Sequence, residues 1–382
     1  MAQRLKTDWY LFITIVALVF FGALMIFSAS SVMASFKMGS SYYFLIRQSF
    51  WIVVALSVMM TLKRLHYRNL QNPAVAFVSM GVVIIMLIAV FFLDPHQHRW
   101  IRVGGFIGVQ PSELAKPALV IFLAFFVAQR ARAINNRYTL VPAALAVTAV
   151  TLAVVVADLG TAVVLVATAA TVFFVAGLEW RFFMLALLVA LVGSLFAVAA
   201  KPYRLTRIIG YVDHDYKIVQ KIDSTLHVHL AEYLKKSLTT KDTSYQSEQA
   251  KIAVGSGGVL GQGLMQSKQK EGFLPESHTD FIYAIVGEEF GLIGAAAVLL
   301  AFGLILWRGI RATILIPDDF GRYLALGMTT MLVVQAFMNM SVVLGLMPTK
   351  GIPLPMISFG GSSLLSTLTC LGILLNVSEH AG

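Results

Sequence analysis

Seven consecutive residues, Pro275-Glu276-Ser277-His278-Thr279-Asp280-Phe281, place two carboxylates and an imidazole directly ahead of a long apolar run. Lipid accepts ionisable side chains only where a protein interior or a water-filled cavity receives them, so acid–base chemistry is expected at this junction. Glu276 and Asp280 are four apart; if a helix has begun there they share a face, and one can cap the helix while the other reacts. A carboxylate at the mouth of an apolar cavity has its charged form disfavoured by desolvation and favoured by a nearby Lys or Arg, a balance that tunes a general base. A helix-capping cluster alone would use the same residues. His278 with Glu276 and Asp280 also supplies nitrogen and oxygen donors, but no spacing here resembles a zinc protease motif.

Other polar groups stand where apolar ones would cost less. In Gln110-Pro111-Ser112-Glu113-Leu114-Ala115-Lys116-Pro117, Glu113 and Lys116 fall on one helix face and can neutralise each other, as a structural ion pair or as a cavity wall. Asp158, between two apolar runs, suits a cap on the following helix and could instead face Lys116. Of Glu288 and Glu289, about 100° apart on a helix, at least one is expected to face protein or a cavity and not lipid. The stretch from Pro348 to Ser363 holds Pro353 and Pro355 followed by Gly360 and Gly361, which predicts a broken or re-entrant element lining the site, with Ser358 inside it and Lys350 available to phosphate oxygens. Gly255-Ser256-Gly257-Gly258 and its continuation to Gly263 need tight turns and close backbone approach but lack the Lys-Ser/Thr ending of a nucleotide loop, so ATP binding is not supported.

The elements that must hold these groups are membrane helices. The chain of 382 residues is 58% hydrophobic and only 13% charged, against roughly 25% charged in an average soluble domain. Runs able to cross about 30 Å of hydrocarbon occur near 9–33, 43–61, 74–93, 111–129, 138–157, 160–178, 180–200, 277–307, 321–346 and 352–377. The prediction is an all-α polytopic protein of ten transmembrane helices forming one domain over 1–382, with a long extracytoplasmic loop over 201–276. The first run is too long for a signal-peptide core and reads as a retained helix. The formal charge of +10 lies in short loops and not in one stripe, which argues against nucleic acid. Arg4, Lys6, Lys63, Arg64, Arg68, Arg130, Arg132, Arg137, Arg181, Arg308, Arg311 and Arg322 share one set of loops, so both termini are expected to be cytoplasmic. Leu226, Leu230, Leu234 and Leu238 form an apolar stripe within the long loop, suited to a helix on the membrane face or against the bundle, or to an ordinary amphipathic connector. Cys370 is the only cysteine and forms no intramolecular disulfide.

Ile101 to Gly105 with Gln110 to Lys116, the Asp158-Leu159-Gly160 break, Gly255 to Gly258, Leu274 to Phe281, and Pro353-Leu354-Pro355 with Ser358 to Ser363 together resemble the SEDS family of membrane peptidoglycan glycosyltransferases, which includes FtsW and RodA. Gly345 to Gly351 resembles the FtsW branch more than the RodA branch. The resemblance implies a ten-helix enzyme that polymerises lipid II on the outer face of the bacterial inner membrane at the division septum. It also implies a class B penicillin-binding protein as transpeptidase partner, beside other divisome membrane proteins. It makes Asp280 the catalytic residue and places Glu113, Lys116, Asp158, Glu276, His278, Lys350 and Ser358 around the cavity. Lys116, Lys350, Arg204 and Arg207 become candidates to offset pyrophosphate charge, with a divalent cation, Mg or Mn, as a further candidate. The stretch Ile209 to His214 lacks the Asp-Pro common in the family, and the region through Lys241 is expanded. The residues by themselves leave enzyme and transporter open, since a lipid flippase would also need charged groups in a bundle and broken helices.

Overall fold

A computed structural model describes residues 7–95, 98–103, 107–212 and 241–381. The leucine stripe at 226–238, Arg4, Lys6, Asp213, His214, Gly104 and Gly105 lie outside the described residues. The helices are α1 (Trp9–Met38), α2 (Tyr43–Arg64), α3 (Pro73–Leu93), α4 (Pro111–Arg130), α5 (Arg137–Ala157), α6 (Leu159–Val175), α7 (Trp180–Ala199), α8 (Pro202–Val212), α9 (Lys241–Ser256), α10 (Ile282–Leu315), α11 (Asp319–Val343) and α12 (Gly361–His380). Nine of these are long and apolar enough to cross a membrane, and the 17-residue α6 is a shorter apolar helix in the sixth expected position. The protein is an all-α, multi-pass membrane protein.

Local chemistry sets the helix starts. Asp8 accepts the Leu11 amide, Asn72 accepts Ala74 with Pro73 behind it, Asn136 accepts Tyr138, and Asp318 accepts Gly321, each satisfying an amide that has no partner within its own helix. Two starts differ from the expected spans. The eighth helix begins at Ile282 and not near 277, because residues 270–281 form successive turns with Glu276 at φ 54°. The tenth begins at Gly361 and not at 352, because Pro353 and Pro355 cannot donate to a helical ladder. One element was not expected at all: β1 (Ile101–Val103) pairs antiparallel with β2 (Ile107–Val109), in the register Ile101 to Val109 and Val103 to Ile107.

Burial grades from the centre outwards. All of Pro111–Val127 in α4 except Leu114 is buried, as is most of α11 and α12, whereas α7 buries Val198 alone and turns Leu188, Leu191, Leu195 and Phe196 outward. Hydrocarbon is a good solvent for that outward face, so α7 needs no protein cover. At one end of the bundle charged pairs tie the helices together: Arg308 meets Asp8 at 2.8 Å, Lys63 meets Glu379 at 2.7 Å, and Tyr67 donates to Asp318. That end carries the basic loops expected on the cytoplasmic side.

The glycine run and α10 form a backbone seam. Gly291 sits at φ 63°, ψ −159°, interrupting α10. The freed main chain is taken up by the preceding loop: Gln262 N donates to Glu288 O at 2.9 Å, Gly263 N to Glu289 O at 3.0 Å, and Leu292 N to Gly258 O at 2.9 Å. A Cβ on Gly257 would overlap the Gly287 carbonyl, and one on Gly261 would overlap that of Glu289. Only glycine lets two backbones approach this closely, and a break at membrane depth survives only when protein satisfies it.

Candidate active site

The site lies at the end opposite the basic loops, where the loop before α10, the segment between α11 and α12, the α5–α6 break and the start of α4 converge. Two stretches without regular structure meet there and are laced by hydrogen bonds. Phe359 N donates to His278 O at 3.0 Å, and Ser358 Oγ donates to Thr279 O at 2.6 Å while accepting Leu354 N at 2.8 Å. Asn339 Nδ2 donates to both Asp280 O and Ile352 O, each at 2.7 Å. Asp280 is thereby held at the N-terminal end of α10 with its carboxylate half-buried.

The carboxylate itself is treated differently from its backbone. Among the described residues nothing donates a hydrogen bond to it. A Cβ on Gly351 would stand only 2.7 Å from Asp280 Oδ2, so that glycine leaves the space the carboxylate occupies. Burial is the largest influence on its proton affinity and raises it; Arg99 pulls it back, Glu276 and Asp158 raise it further, and Arg207 lowers it. The result is a pKa pushed up to about 7. A carboxylate balanced in this way gains and loses its proton near neutrality, as a general base requires.

Asp158 caps α6 by accepting Gly160 N at 2.9 Å and Thr161 N at 3.2 Å; its other oxygen accepts Thr161 Oγ1 at 2.9 Å and meets Arg99 at 3.3 Å. Its cationic partner is therefore Arg99 and not Lys116. Asp94 positions that arginine by accepting the Arg99 and Trp100 amides at 3.2 Å each. Lys350 is half-buried between Asp158 and Arg204, and desolvation holds its pKa below the ordinary lysine value. Arg207 is half-buried and within the field of Asp280. Arg204 is buried and donates to the carbonyls of Val155 at 2.7 Å and Ala197 at 3.1 Å, tying α8 to the ends of α5 and α7.

Five of the residues expected around the cavity, Glu113 among them, have the following surroundings. Glu276 is exposed and accepts Thr279 Oγ1 at 2.8 Å within its own turn. His278 is buried with its ring 4.6 Å from Phe44 and 5.8 Å from Phe359, and desolvation holds its pKa below the ordinary imidazole value. Ser358 is a staple between the two loops. Lys116, 2% exposed, lies 2.6 Å from both Glu113 Oε2 and Gln335 Oε1, sealed within the α4–α11 contact. Among the described residues no three His, Cys, Asp or Glu side chains converge, and both Asp158 oxygens are already occupied by donors. Among the described residues this donor set does not fit a resident Mg or Mn.

Sequence reading passed over Arg99 and Gln335. Arg99 carried one signal, a basic residue in a loop on the non-cytoplasmic side; Gln335 carried only its polarity within an apolar run. Glu288 and Glu289, of which at least one is expected to avoid lipid, are both buried in a second cluster whose partners the sequence does not show. Glu289 accepts Ser28 Oγ at 2.6 Å and pairs with Lys270 at 2.8 Å, while Glu288 accepts Ser267 Oγ at 2.5 Å and Lys268 N at 2.9 Å. These contacts fasten the loop carrying Asp280 to α1 and α10.

Fold and site together define a polytopic membrane protein with a titratable carboxylate at the face opposite its basic loops. Residues 8–382 match the model of the cell cycle protein family that comprises FtsW, RodA and SpoVE, and the chain belongs to that SEDS family. It is 38% identical over 380 residues to the probable peptidoglycan glycosyltransferase FtsW of Geobacter metallireducens, covering 98% of this chain and 95% of that protein. It is 35% identical to the stage V sporulation protein E of Bacillus subtilis, covering 99% of both. Among solved structures, it superposes with a TM-score of 0.74 and 26% identity on a chain from work on how a peptidoglycan synthase complex coordinates polymerization and crosslinking, covering 98% of each. The rod shape determining protein RodA of Thermus thermophilus superposes with a TM-score of 0.67 at 26% identity, covering 99% of this chain and 98% of that one.

Proposed function

We propose that this protein is a peptidoglycan glycosyltransferase of the FtsW type, which polymerises lipid II into β-1,4-linked glycan with Asp280 as its general base. The acceptor sugar hydroxyl attacks the anomeric carbon of the growing strand, its proton passes to an Asp280 oxygen, and undecaprenyl pyrophosphate leaves from the opposite side. The product is inverted and no covalent enzyme intermediate forms. Arg207, within the field of Asp280, and Lys350, next in sequence to the Gly351 that walls the carboxylate, offset charge developing on the departing pyrophosphate. Lys116 takes no part in that contact, because it is enclosed.

The observation that carries this reading is a carboxylate held by its backbone, free of hydrogen bonds among the described residues, and titrating at about 7. Identity to relatives named as probable glycosyltransferases supports the reaction class. The likeness to a chain of a synthase complex supports a crosslinking partner, which we assign to a class B penicillin-binding protein. The basic end is assigned to the cytoplasm with both termini, and the Asp280 end to the periplasmic face of the inner membrane at the septum.

The test is polymerisation of lipid II presented in detergent to purified protein, alone and with a transpeptidase-dead partner. Wild type should form glycan where no translocation is needed, and Asp280→Asn should not. Glycan formed at the wild-type rate by folded Asp280→Asn would overturn the assignment. A wild-type protein that moves lipid II but makes no polymer, even with its partner, would replace enzyme by transporter.

A further inference from the structure

The segment from Gly351 to Gly360 forms turns and no helix or strand, so carbonyls not bonded within it need partners from elsewhere. Pro353 and Pro355 remove two amides from it, which leaves it rich in acceptors. Two side chains of α11, four residues apart and therefore on one face, supply donors. Gln335 Nε2 donates to Pro353 O at 2.9 Å, and Asn339 Nδ2 donates to the adjacent carbonyl of Ile352 at 2.7 Å. Both side chains are 2% exposed.

Carbonyl satisfaction would be enough to keep two amides here, but neither stops at that. The second hydrogen of Asn339 Nδ2 goes to the carbonyl of Asp280 at 2.7 Å. Among the described residues its Oδ1 has no partner, so the polar contacts of this side chain there are confined to joining Ile352 to Asp280. Ile352 follows Gly351, the residue against which the Asp280 carboxylate rests. The amide therefore sets both the backbone that carries the carboxylate and the backbone that walls it. Gln335 is fixed in turn from behind, because its Oε1 accepts Lys116 Nζ at 2.6 Å and Lys116 is paired with Glu113 at 2.6 Å. Glu113 O accepts Ser366 Oγ at 2.6 Å, which ties the pair to α12.

We propose that Gln335 and Asn339 are positioning residues for the carboxylate of Asp280, and that the buried Glu113–Lys116 pair is the fixed end of the same chain of contacts and not a wall of the substrate cavity. This rests on Asp280 being the general base. Lys116 acts through Gln335 on the Pro353 carbonyl and never meets pyrophosphate. A displacement of about 1 Å at a reacting group can cost about a hundredfold in rate, so loss of this chain should be read in turnover and not in substrate affinity.

Asn339→Asp keeps the shape of the side chain but sets an acceptor against two carbonyls; Gln335→Met removes the donor to Pro353 O on the other limb without adding charge. With purified full-length protein and lipid II, each should lower kcat about ten- to a hundredfold with KM within twofold, and should move the acid limb of the pH–rate profile as Asp280 shifts relative to Arg99. Lys116→Met combined with Gln335→Met should be no slower than the worse single variant, because both break one chain. Wild-type kcat and an unmoved profile in folded Asn339→Asp and Gln335→Met would overturn the proposal. So would Lys116→Met raising KM and multiplying with Gln335→Met, the behaviour of a pyrophosphate ligand. If either limb variant fails to fold, the other decides. Asp280→Asn run beside them separates the two hypotheses: an active Asp280→Asn removes the general base itself, whereas an inactive one beside fully active limb variants removes only the positioning chain.

Discussion

Asp280 and Glu289 both lie near the start of α10, yet the protein treats them in opposite ways. Glu289 accepts Ser28 Oγ and Ser267 N and pairs with Lys270, so its charge is fully met inside the bundle. Asp280 has its carbonyl held by Asn339 while its carboxylate is left without a donor among the described residues. A satisfied carboxylate holds structure; one kept short of partners binds its proton more tightly, which brings its exchange close to neutrality. Proximity along the sequence therefore says little about which of the two acids does chemistry, and the donor inventory says a good deal.

The contrast can be broken by experiment. Asp280→Asn should remove polymerisation by about 10²- to 10⁴-fold, the usual contribution of a general base, with unchanged thermal unfolding in detergent. Lys270→Met should do the reverse, costing about 3–5 kcal/mol of stability by leaving Glu289 buried and unpaired. Activity per folded molecule should then persist at low temperature, as followed by unfolding midpoints beside turnover.

pH sharpens the same comparison. The proton of Asp280 is held up to about 7 chiefly by burial, with Arg99 the main opposing charge. Activity should therefore appear as pH rises through about 7 and be lost below it. Arg99→Gln removes the cation that favours the charged form, so the acid limb should move to higher pH and the rate at neutrality should fall several-fold. The smallest effect is expected for His278→Phe, a near volume-conserving change between Phe44 and Phe359 that should cost less than about 1.5 kcal/mol and leave turnover within twofold. A large loss of turnover there would give the imidazole a chemical role it lacks in this geometry.

How far the sequence discloses this arrangement follows from the range of each interaction. Spans are written in runs of apolar residues, and Asp158 announces a cap because its carboxylate acts on amides two and three residues ahead. The glycines from 255 to 263 signal close approach, although what they approach, the carbonyls of Gly287 and Glu289, is fixed only by the fold. Lys116 illustrates the limit: its spacing from Glu113 predicts the pair, but its second partner, Gln335, lies 219 positions away. Arg99 was hidden for the same reason, since its value comes from Asp158 across the α5–α6 break. The β1–β2 hairpin was missed although Ile-Arg-Val and Ile-Gly-Val alternate on either side of a Gly pair, because an apolar stretch in a membrane chain is read first for helix.

The seam at Gly291 bears on how the protein is made. Residues 258–263 leave the ribosome before the turn of α10 that they complete. The main-chain partners that turn needs have already been synthesised when it reaches the bilayer. Insertion of this helix is thus a tertiary event, finished when an earlier stretch of chain docks against it, and a substitution at Gly257 or Gly261 should show as a defect of biogenesis well before any defect of turnover.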